Sequence, residues 1–151
     1  MVHAVDLLEV SPISMQQTFH YYYFDWISKQ MWPGTVLTKR KNLTTPQNIR
    51  NGRYSFPRVP NGGHHFSYFG GVERIISKMT TIVDGNELVE KSGGKLVERQ
   101  HIEEVMKSGK DLYGRKNVAE TQFYPYDISN IKLPHFEEFI KKYPNFLRPK
   151  D

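Results

Sequence analysis

The chain has 151 residues, no cysteine and a formal net charge of +5 at pH 7. This length suits one compact domain with a single core, and the lack of cysteine excludes disulfide frameworks, thiolate metal sites and cysteine catalysis. The charge favours an anionic partner, such as a phosphate-bearing donor, a nucleic acid or a membrane surface. No recognised nucleic-acid-binding module is present, so we expect no nucleic-acid partner.

The N-terminal segment does not have the pattern of a signal peptide. Its apolar stretch at residues 5–10 is short and contains Asp6 and Glu9. No apolar run in the sequence approaches the ~20 residues of a spanning helix. We therefore expect a soluble, cytoplasmic chain, with membrane or Golgi association only if an upstream part supplies an anchor.

The first half of the chain is predicted to be rich in strands. The residue patterns predict strands at residues 1–10, 18–28, 35–39 and 64–69. Residues 14–18 are interpreted as a polar connection or a short helix, residues 32–34 as a turn and residues 51–63 as a loop. Thr45 as N-cap and Pro46 at the first helical position predict a short helix that ends near Gly52.

The second half is predicted to be mainly helical. Apolar residues at helical spacing predict helices at residues 72–83 and 96–108, and Gly109 is predicted to end the second of them. A last helix is predicted to open at residues 133–134, and the tail from residue 143 to pack as an extended strap. The predicted fold class is therefore mixed α/β, with strands in the first half and helices in the second.

The segment at residues 61–71 combines glycine pairs with a strand that carries two histidines, a serine and a tyrosine. Glycine permits close approach of the backbone to a ligand, which makes the segment a candidate binding site. Alternation along a strand puts His64, Phe66 and Tyr68 on one face and His65, Ser67 and Phe69 on the other. No spacing supplies further zinc ligands. The segment can equally be a strand between two turns with one buried, hydrogen-bonded histidine. Its second glycine pair is only a weak phosphate-loop signal.

Four segments carry a family resemblance when they are taken together. They are residues 32–35 (WPGT), 62–71 (GGHHFSYFGG), 75–78 (IISK) and 108–115 (SGKDLYGR), followed by a late Leu-Pro pair at residues 133–134. In this order the chain resembles glycosyltransferase family 17 over nearly its whole length. The family segment typically reads Gly-Gly-Trp-His-Phe-Ser-Tyr before its second glycine pair, so His64 stands where tryptophan is usual.

The resemblance implies a GT-A-like α/β fold and an enzyme that transfers a sugar with inversion. Animal members of the family move N-acetylglucosamine from UDP-N-acetylglucosamine to the core β-mannose of N-glycans, in β-1,4 linkage. A UDP-sugar donor and a glycan acceptor are therefore the expected partners. Residues 1–151 would form one domain, the C-terminal portion of the catalytic domain, and the nucleotide-binding strands, about a hundred residues, are expected upstream or on a separate chain that completes the fold.

The resemblance also implies a metal site. The family's Asp-x-Asp-Glu motif matches residues 6–9, where Asp6 and Glu9 keep two carboxylates and Leu8 replaces the second aspartate. Carboxylate oxygens suit Mg²⁺ or Mn²⁺, and the cation would neutralise the departing diphosphate. As an alternative, the two acids only cap a loop.

An inverting transfer also needs a general base on the acceptor hydroxyl. Glu73 and Asp84 are the candidates, and Asp84 stands near the position where the family usually shows a histidine. The residues expected to line the donor or acceptor site are His64, His65, Ser67 and Tyr68. The rings expected to stack on sugars are those of Trp32, Tyr22 and Tyr68. Lys110 and Arg115 are candidate diphosphate partners, or else part of a solvated loop.

Two other functions stay open at this point. The first is a catalytically inactive fragment that binds a glycan or a partner chain, which Leu8 and the 13% aromatic content favour. The second is a basic RNA-binding domain, whose affinity would fall steeply with salt concentration.

Overall fold

The computed structural model describes residues 12–82, 85–115 and 122–149. Within these residues the chain is mixed α/β, with six strands and five α-helices. Five of the strands precede residue 70 and four of the α-helices follow it. The predicted fold class and the predicted order of strands and helices are therefore confirmed.

The strands are β1 (Ile13–Tyr21), β2 (Tyr23–Ser28), β3 (Trp32–Leu37), β4 (Arg58–Val59), β5 (His64–Ser67) and β6 (Phe123–Pro125). The α-helices are α1 (Pro46–Gly52), α2 (Gly71–Thr81), α3 (Gly85–Lys91), α4 (Arg99–Ser108) and α5 (Phe136–Lys142). Short 3-10 helices lie at Arg40–Asn42, Lys95–Val97, Ile128–Asn130 and Pro144–Phe146. No helix among the described residues has both the length and the apolar character needed to cross a bilayer.

The strands pair in the order β3-β1-β2-β6, and β4 and β5 also pair with β1. The β1–β2, β1–β3 and β2–β6 pairs are antiparallel, whereas β4 runs parallel to β1. The described residues divide into two compact units: unit 1 is residues 12–19 and 30–65, and unit 2 is residues 20–29, 66–82, 85–115 and 122–149.

In unit 1, the first part of β1 is a strand where the sequence predicted a connection or helix. Met15 pairs with Thr35 of β3 on one side and with Val59 of β4 on the other. The prediction for residues 14–18 was wrong because pairing on both sides satisfies the backbone of this polar segment, and such pairing is not visible in local composition.

The predicted turn at residues 32–34 is also wrong, because these residues begin β3. Proline is tolerated there since β3 stands at the end of the strand order. Gly34 lies against the indole of Trp32: a Cβ at this position would come within 1.7 Å of Trp32 Nε1. The glycine that suggested a turn instead makes room for an aromatic ring.

Helix α1 of unit 1 follows the sequence prediction closely. Thr45 is the N-cap, and its Oγ1 accepts a hydrogen bond from the backbone N–H of Asn48 at 3.2 Å. Pro46 occupies the first helical position and Gly52 the last. The loop predicted after the helix contains the two-residue strand β4.

In unit 2, the single strand predicted at residues 18–28 is a tight hairpin of β1 and β2. Tyr22 makes the turn with a positive φ of 65°, and Tyr21 pairs with Tyr23 across it. A bulky residue seldom takes this backbone conformation. The sequence therefore carried no turn signal, and the prediction of one continuous strand was wrong.

The helices of unit 2 were predicted more accurately than its strands. Helices α2 and α4 correspond to the two predicted helices, and Gly109 ends α4 with a φ of 64°. Helix α3 and strand β6 have no counterpart in the prediction. The predicted tail strap contains a 3-10 turn, and Arg148 beyond it pairs with Asp25 at 2.9 Å.

Two groups of apolar residues form the core of unit 2. Fully buried side chains of α2, α4 and the segment after α4 make the first group, which comprises Ile75, Met79, Ile102 and Leu112. The second group holds Phe24, Ile131 and Phe136, so β2 and α5 share it. Burial of these side chains fixes the segments on which the candidate site residues lie.

Candidate functional site

The candidate metal ligands Asp6 and Glu9 and the candidate base Asp84 lie outside the described residues. The predicted metal site, and its predicted proximity to the strand at residues 64–69, therefore stay predictions. Within residues 12–82, 85–115 and 122–149, no group of three or more histidine and acidic side chains is placed to hold a metal ion.

Unit 1 brings two of the predicted substrate-binding residues together. The rings of Trp32 and His65 stack with centroids 4.8 Å apart and an angle of 20° between their planes. The centroid of the buried Phe19 ring lies 5.3 Å from that of Trp32 and 5.2 Å from that of His65. Trp32 and His65 are each half-buried.

Arg53 completes this group, and sequence reasoning missed it. Its guanidinium lies 5.0 Å from the Trp32 ring and 4.7 Å from the Tyr54 ring, both within cation–π range. Its Nη1 donates to the carbonyl of Arg50 at 3.2 Å, and its Nη2 donates to the hydroxyl of Tyr54 at 3.3 Å. Trp32, His65, Arg53 and Tyr54 are called the arginine–aromatic cluster below.

The predicted alternation along the strand holds only as far as Ser67, where β5 ends. Tyr68 takes a positive φ of 57°, which reverses the chain locally. As a result Phe66 and Phe69, predicted on opposite faces, have their rings 5.3 Å apart. His64, at the start of β5, is half-buried, and burial lowers its pKa, which favours the neutral imidazole.

Unit 2 gathers tyrosines around a buried carboxylate. The hydroxyls of Tyr68 and Tyr113 are hydrogen-bonded to each other, and the hydroxyl of Tyr22 donates to the carbonyl of Lys110 at 3.0 Å. The backbone N–H of Tyr22 donates to the carbonyl of Ser67 at 3.0 Å. Tyr22 and Tyr68 both have a positive φ, which is a strained backbone conformation for a residue other than glycine. Such strain is often found at functional sites.

The carboxylate of Asp111 organises the loop after α4. It is 2% exposed and accepts hydrogen bonds from the backbone N–H groups of Tyr113 and Arg115, each at 3.1 Å. The guanidinium of Arg115 binds it in two-pronged fashion, with Nε at 3.0 Å and Nη2 at 2.6 Å. Arg115 therefore neutralises Asp111. Tyr22, Tyr68, Tyr113, Asp111 and Arg115 are called the tyrosine–aspartate cluster below.

Of the two candidate diphosphate partners, Lys110 is the one whose side chain is exposed without a described ion pair. Its backbone forms a bridge with Gln122, which anchors the residue. Lys78, on α2, is a cation that the sequence analysis did not select. Its Nζ lies 3.9 Å from the centre of the Tyr68 ring, and burial lowers its pKa.

Glu73 and Ser67 lie in different environments. Glu73 lies in the first turn of α2, its side chain is 72% exposed, and it forms an ion pair with Arg99. Ser67 is buried at the end of β5. Two clefts of unit 2, of about 790 and 470 Å³, are lined by other residues, and no predicted site residue of the described part borders them.

The tyrosines predict how stability depends on pH. Burial raises the pKa of Tyr21, Tyr22 and Tyr68 above the ordinary value. Folding thus favours their protonated form, so their contribution to stability is complete below about pH 10, the pKa of an unfolded tyrosine, and is lost as pH rises above it. We expect the free energy of unfolding, measured in urea, to fall above that pH, and less so in Tyr68→Phe. Tyrosinate absorbance showing all nine tyrosines of the folded chain titrating together near pH 10 would contradict this.

Comparison of the chain with known protein families, with curated proteins and with solved structures gives no significant match.

Proposed function

We propose that this chain is the acceptor-side part of a glycosyltransferase with a GT-A-like fold, which transfers N-acetylglucosamine from UDP-N-acetylglucosamine to a glycan with inversion. The resemblance of residues 62–71 and their companion segments to glycosyltransferase family 17 suggests the reaction. The geometry that best supports a carbohydrate ligand is the arginine–aromatic cluster. Upstream sequence or a separate chain would supply the nucleotide-binding strands.

The observation that carries the proposal is the arginine–aromatic cluster, in which Trp32 stacks on His65 and the Arg53 guanidinium lies against Trp32 and the exposed ring of Tyr54. A sugar ring presents apolar C–H faces that lie well against aromatic rings, and neighbouring donors then fix its hydroxyls. The stack is half-buried, tilted against Phe19 and made possible by Gly34 beneath the indole. Because these side chains already pack against one another, a ligand that binds to the cluster loses little affinity to the conformational entropy of ordering them.

Three further roles, which are metal binding, proton abstraction and contact with the diphosphate, are assigned to acidic and basic residues. Asp6 and Glu9 would hold Mg²⁺ or Mn²⁺ through carboxylate oxygens, which suit these hard cations; the metal would supply charge neutralisation for the departing diphosphate. Asp84 would accept the proton of the acceptor hydroxyl. Lys110, whose side chain is exposed, would contact the diphosphate.

The first experiment measures donor binding and turnover. UDP-N-acetylglucosamine at millimolar concentration with Mn²⁺ is expected to raise the melting temperature, because a ligand that binds only the folded state stabilises it. Donor turnover is followed as released UDP, with and without an N-glycan core acceptor. An unchanged melting temperature together with no released UDP would overturn the proposal.

The second experiment tests the stack. Trp32→Ala is expected to weaken acceptor binding about tenfold, since loss of the indole removes apolar surface of the cluster and the ring against which the Arg53 guanidinium lies. Leu43→Ala is the control, because Leu43 is a 57% exposed apolar residue of the same unit. Acceptor affinity is measured by calorimetry after circular dichroism has shown that both variants are folded. Equal affinities for the two variants would mean that Trp32 neither contacts the acceptor nor holds the residues that do.

A second candidate function is a glycan-binding fragment without turnover. Leu8 favours it, because this residue replaces an aspartate of the metal motif and so removes one of the carboxylates expected to hold the cation. Glycan binding that persists while released UDP stays at background would select this function, and Leu8→Asp is the variant expected to restore metal-dependent donor binding if the motif is degenerate.

A further inference from the structure

The positive charge of the chain is concentrated in unit 1. Its described residues, 12–19 and 30–65, contain six lysines and arginines and no aspartate or glutamate. The six are Lys39, Arg40, Lys41, Arg50, Arg53 and Arg58. All sixteen acidic residues lie elsewhere, against fifteen lysines and arginines. The excess charge of the chain therefore belongs to this segment rather than to the chain as a whole, and it attracts anions there.

Arg53 is held in place by contacts of both its backbone and its side chain. It follows α1 directly, and its carbonyl accepts a hydrogen bond from Ser14 Oγ at 2.6 Å. Its guanidinium lies against Trp32 and Tyr54, and Nε is buried with no acceptor among the described residues. A guanidinium carries five N–H donors, and only Nη1 and Nη2 have described acceptors, a carbonyl and a hydroxyl.

No carboxylate of the described residues approaches this guanidinium within ion-pair distance. A half-buried cation usually has an anionic partner, because burial without one costs free energy. The aromatic rings offset only part of that cost. A bound anion would accept from the remaining N–H groups of Nη1 and Nη2, in the end-on two-pronged geometry that arginine favours for carboxylate and phosphate.

Tyr54 supplies the second element of the site. It is 50% exposed, the highest value among the large aromatic residues of the described part of unit 1, whereas the Trp32 ring already carries His65 and Arg53 as neighbours. An exposed ring beside one fixed cation suits a single sugar ring with an anionic substituent. A single-stranded nucleic acid needs a row of stacking rings along a basic groove, and Tyr54 is one ring.

We propose that the arginine–aromatic cluster binds an anionic sugar, a saccharide residue that carries a carboxylate or a phosphate, with its anion on Arg53 and its ring on Tyr54. The inference rests on the proposed function, because it assigns a negatively charged acceptor to that reaction. Trp32, His65 and Gly34 then hold Arg53 in position. The ligand chemistry is an anion on a sugar ring, and its two sources are a uronic acid and a sugar phosphate.

The test compares matched ligands on the full chain by isothermal calorimetry. The probes are cellobiose, cellobiouronic acid and cellobiose 6′-phosphate, which share one disaccharide frame and differ in charge. We expect one or both charged disaccharides to bind at least tenfold more tightly than cellobiose, since charge-assisted hydrogen bonds are roughly twice as strong as neutral ones. The stronger of the two charged probes identifies the source of the anion.

Two variants separate a specific site from a general positive field. Arg53→Gln is expected to lower the affinity for the charged probe about tenfold and to leave cellobiose unchanged. Arg50→Gln removes the same charge from an exposed side chain, and its backbone carbonyl still accepts from Arg53; its affinity is expected to stay within about twofold of the parent.

Several results would overturn the proposal. They are equal affinity for charged and neutral disaccharides, no binding of any of them, an equal loss in the two variants, or tighter, strongly salt-dependent binding of a single-stranded oligonucleotide. Release of UDP from the donor is measured in parallel. Donor turnover without preference for the charged probe refutes the anionic acceptor alone, whereas charged-probe binding without donor turnover refutes the transferase proposal alone.

Discussion

Gly109→Ala is expected to lower the free energy of unfolding by about 3 kcal/mol or more. Gly109 ends α4 with a φ of 64°, and a side chain in this region costs roughly 1–2 kcal/mol. A Cβ would also lie 1.2 Å from Trp26 Cζ3, a distance that forces the indole or the backbone to move. Overpacking of this kind adds typically 1–3 kcal/mol.

Gly114→Ala is the matched control, because Gly114 has the same φ of 64° and a Cβ there meets open space. Only the backbone cost applies, so a loss of about 1–2 kcal/mol is expected. Both values come from urea unfolding at a fixed temperature, with the slope checked for two-state behaviour. Equal losses in the two variants would show that Trp26 does not press on Gly109.

Gly109→Ala should also disturb the tyrosine–aspartate cluster. The carbonyl of Gly109 accepts a hydrogen bond from the backbone N–H of Phe123 at 2.8 Å, and the next residue is Lys110. Movement at this position therefore shifts the start of the loop that carries Asp111. A folded Gly109→Ala chain, if donor turnover is present in the parent, should lose more turnover than a folded Gly114→Ala chain.

Asp111→Ala is expected to destabilise the fold by about 3 kcal/mol. The substitution leaves the backbone N–H groups of Tyr113 and Arg115 without their acceptor and the guanidinium of Arg115 without its counter-ion. An unsatisfied buried donor costs about 1–3 kcal/mol. Arg115 is 41% exposed, so water offsets part of the loss at the guanidinium.

Two further variants give smaller expected losses of stability with which the loss for Asp111→Ala is compared. Asp111→Asn keeps one carbonyl oxygen for the backbone donors but loses the charge, and a loss of about 1–2 kcal/mol is expected. Glu87→Ala breaks the exposed ion pair with Lys91, in which both side chains are more than 60% exposed, and should change stability by less than about 0.5 kcal/mol. Urea unfolding of all three checks the order. A loss for Asp111→Ala no larger than that of Glu87→Ala would mean that the buried carboxylate does not stabilise the loop.

The sequence by itself determined the features that depend on neighbouring residues. Thr45 and Pro46 specified the start of α1, and Gly109 specified the end of α4, because caps act through hydrogen bonds and backbone angles within one turn. The apolar spacing of α2 likewise predicted its buried face. Residues 61–71 were selected as a candidate site from their glycine pairs, two histidines, serine and tyrosine, and the structure gives His65 a ring stack with Trp32.

Only the tertiary structure decided the features that depend on residues distant in sequence. The polar start of β1 is a strand because β3 and β4 pair with it, and Tyr22 forms a turn that no local pattern announces. Arg53 becomes a site candidate only when Trp32, twenty-one residues earlier, is placed beside its guanidinium. Asp111 and Arg115 are close in sequence, but the burial that makes their pairing strong comes from the surrounding fold. Local interactions can be inferred from adjacent residues, whereas pairing, burial and charge compensation depend on which distant segments meet.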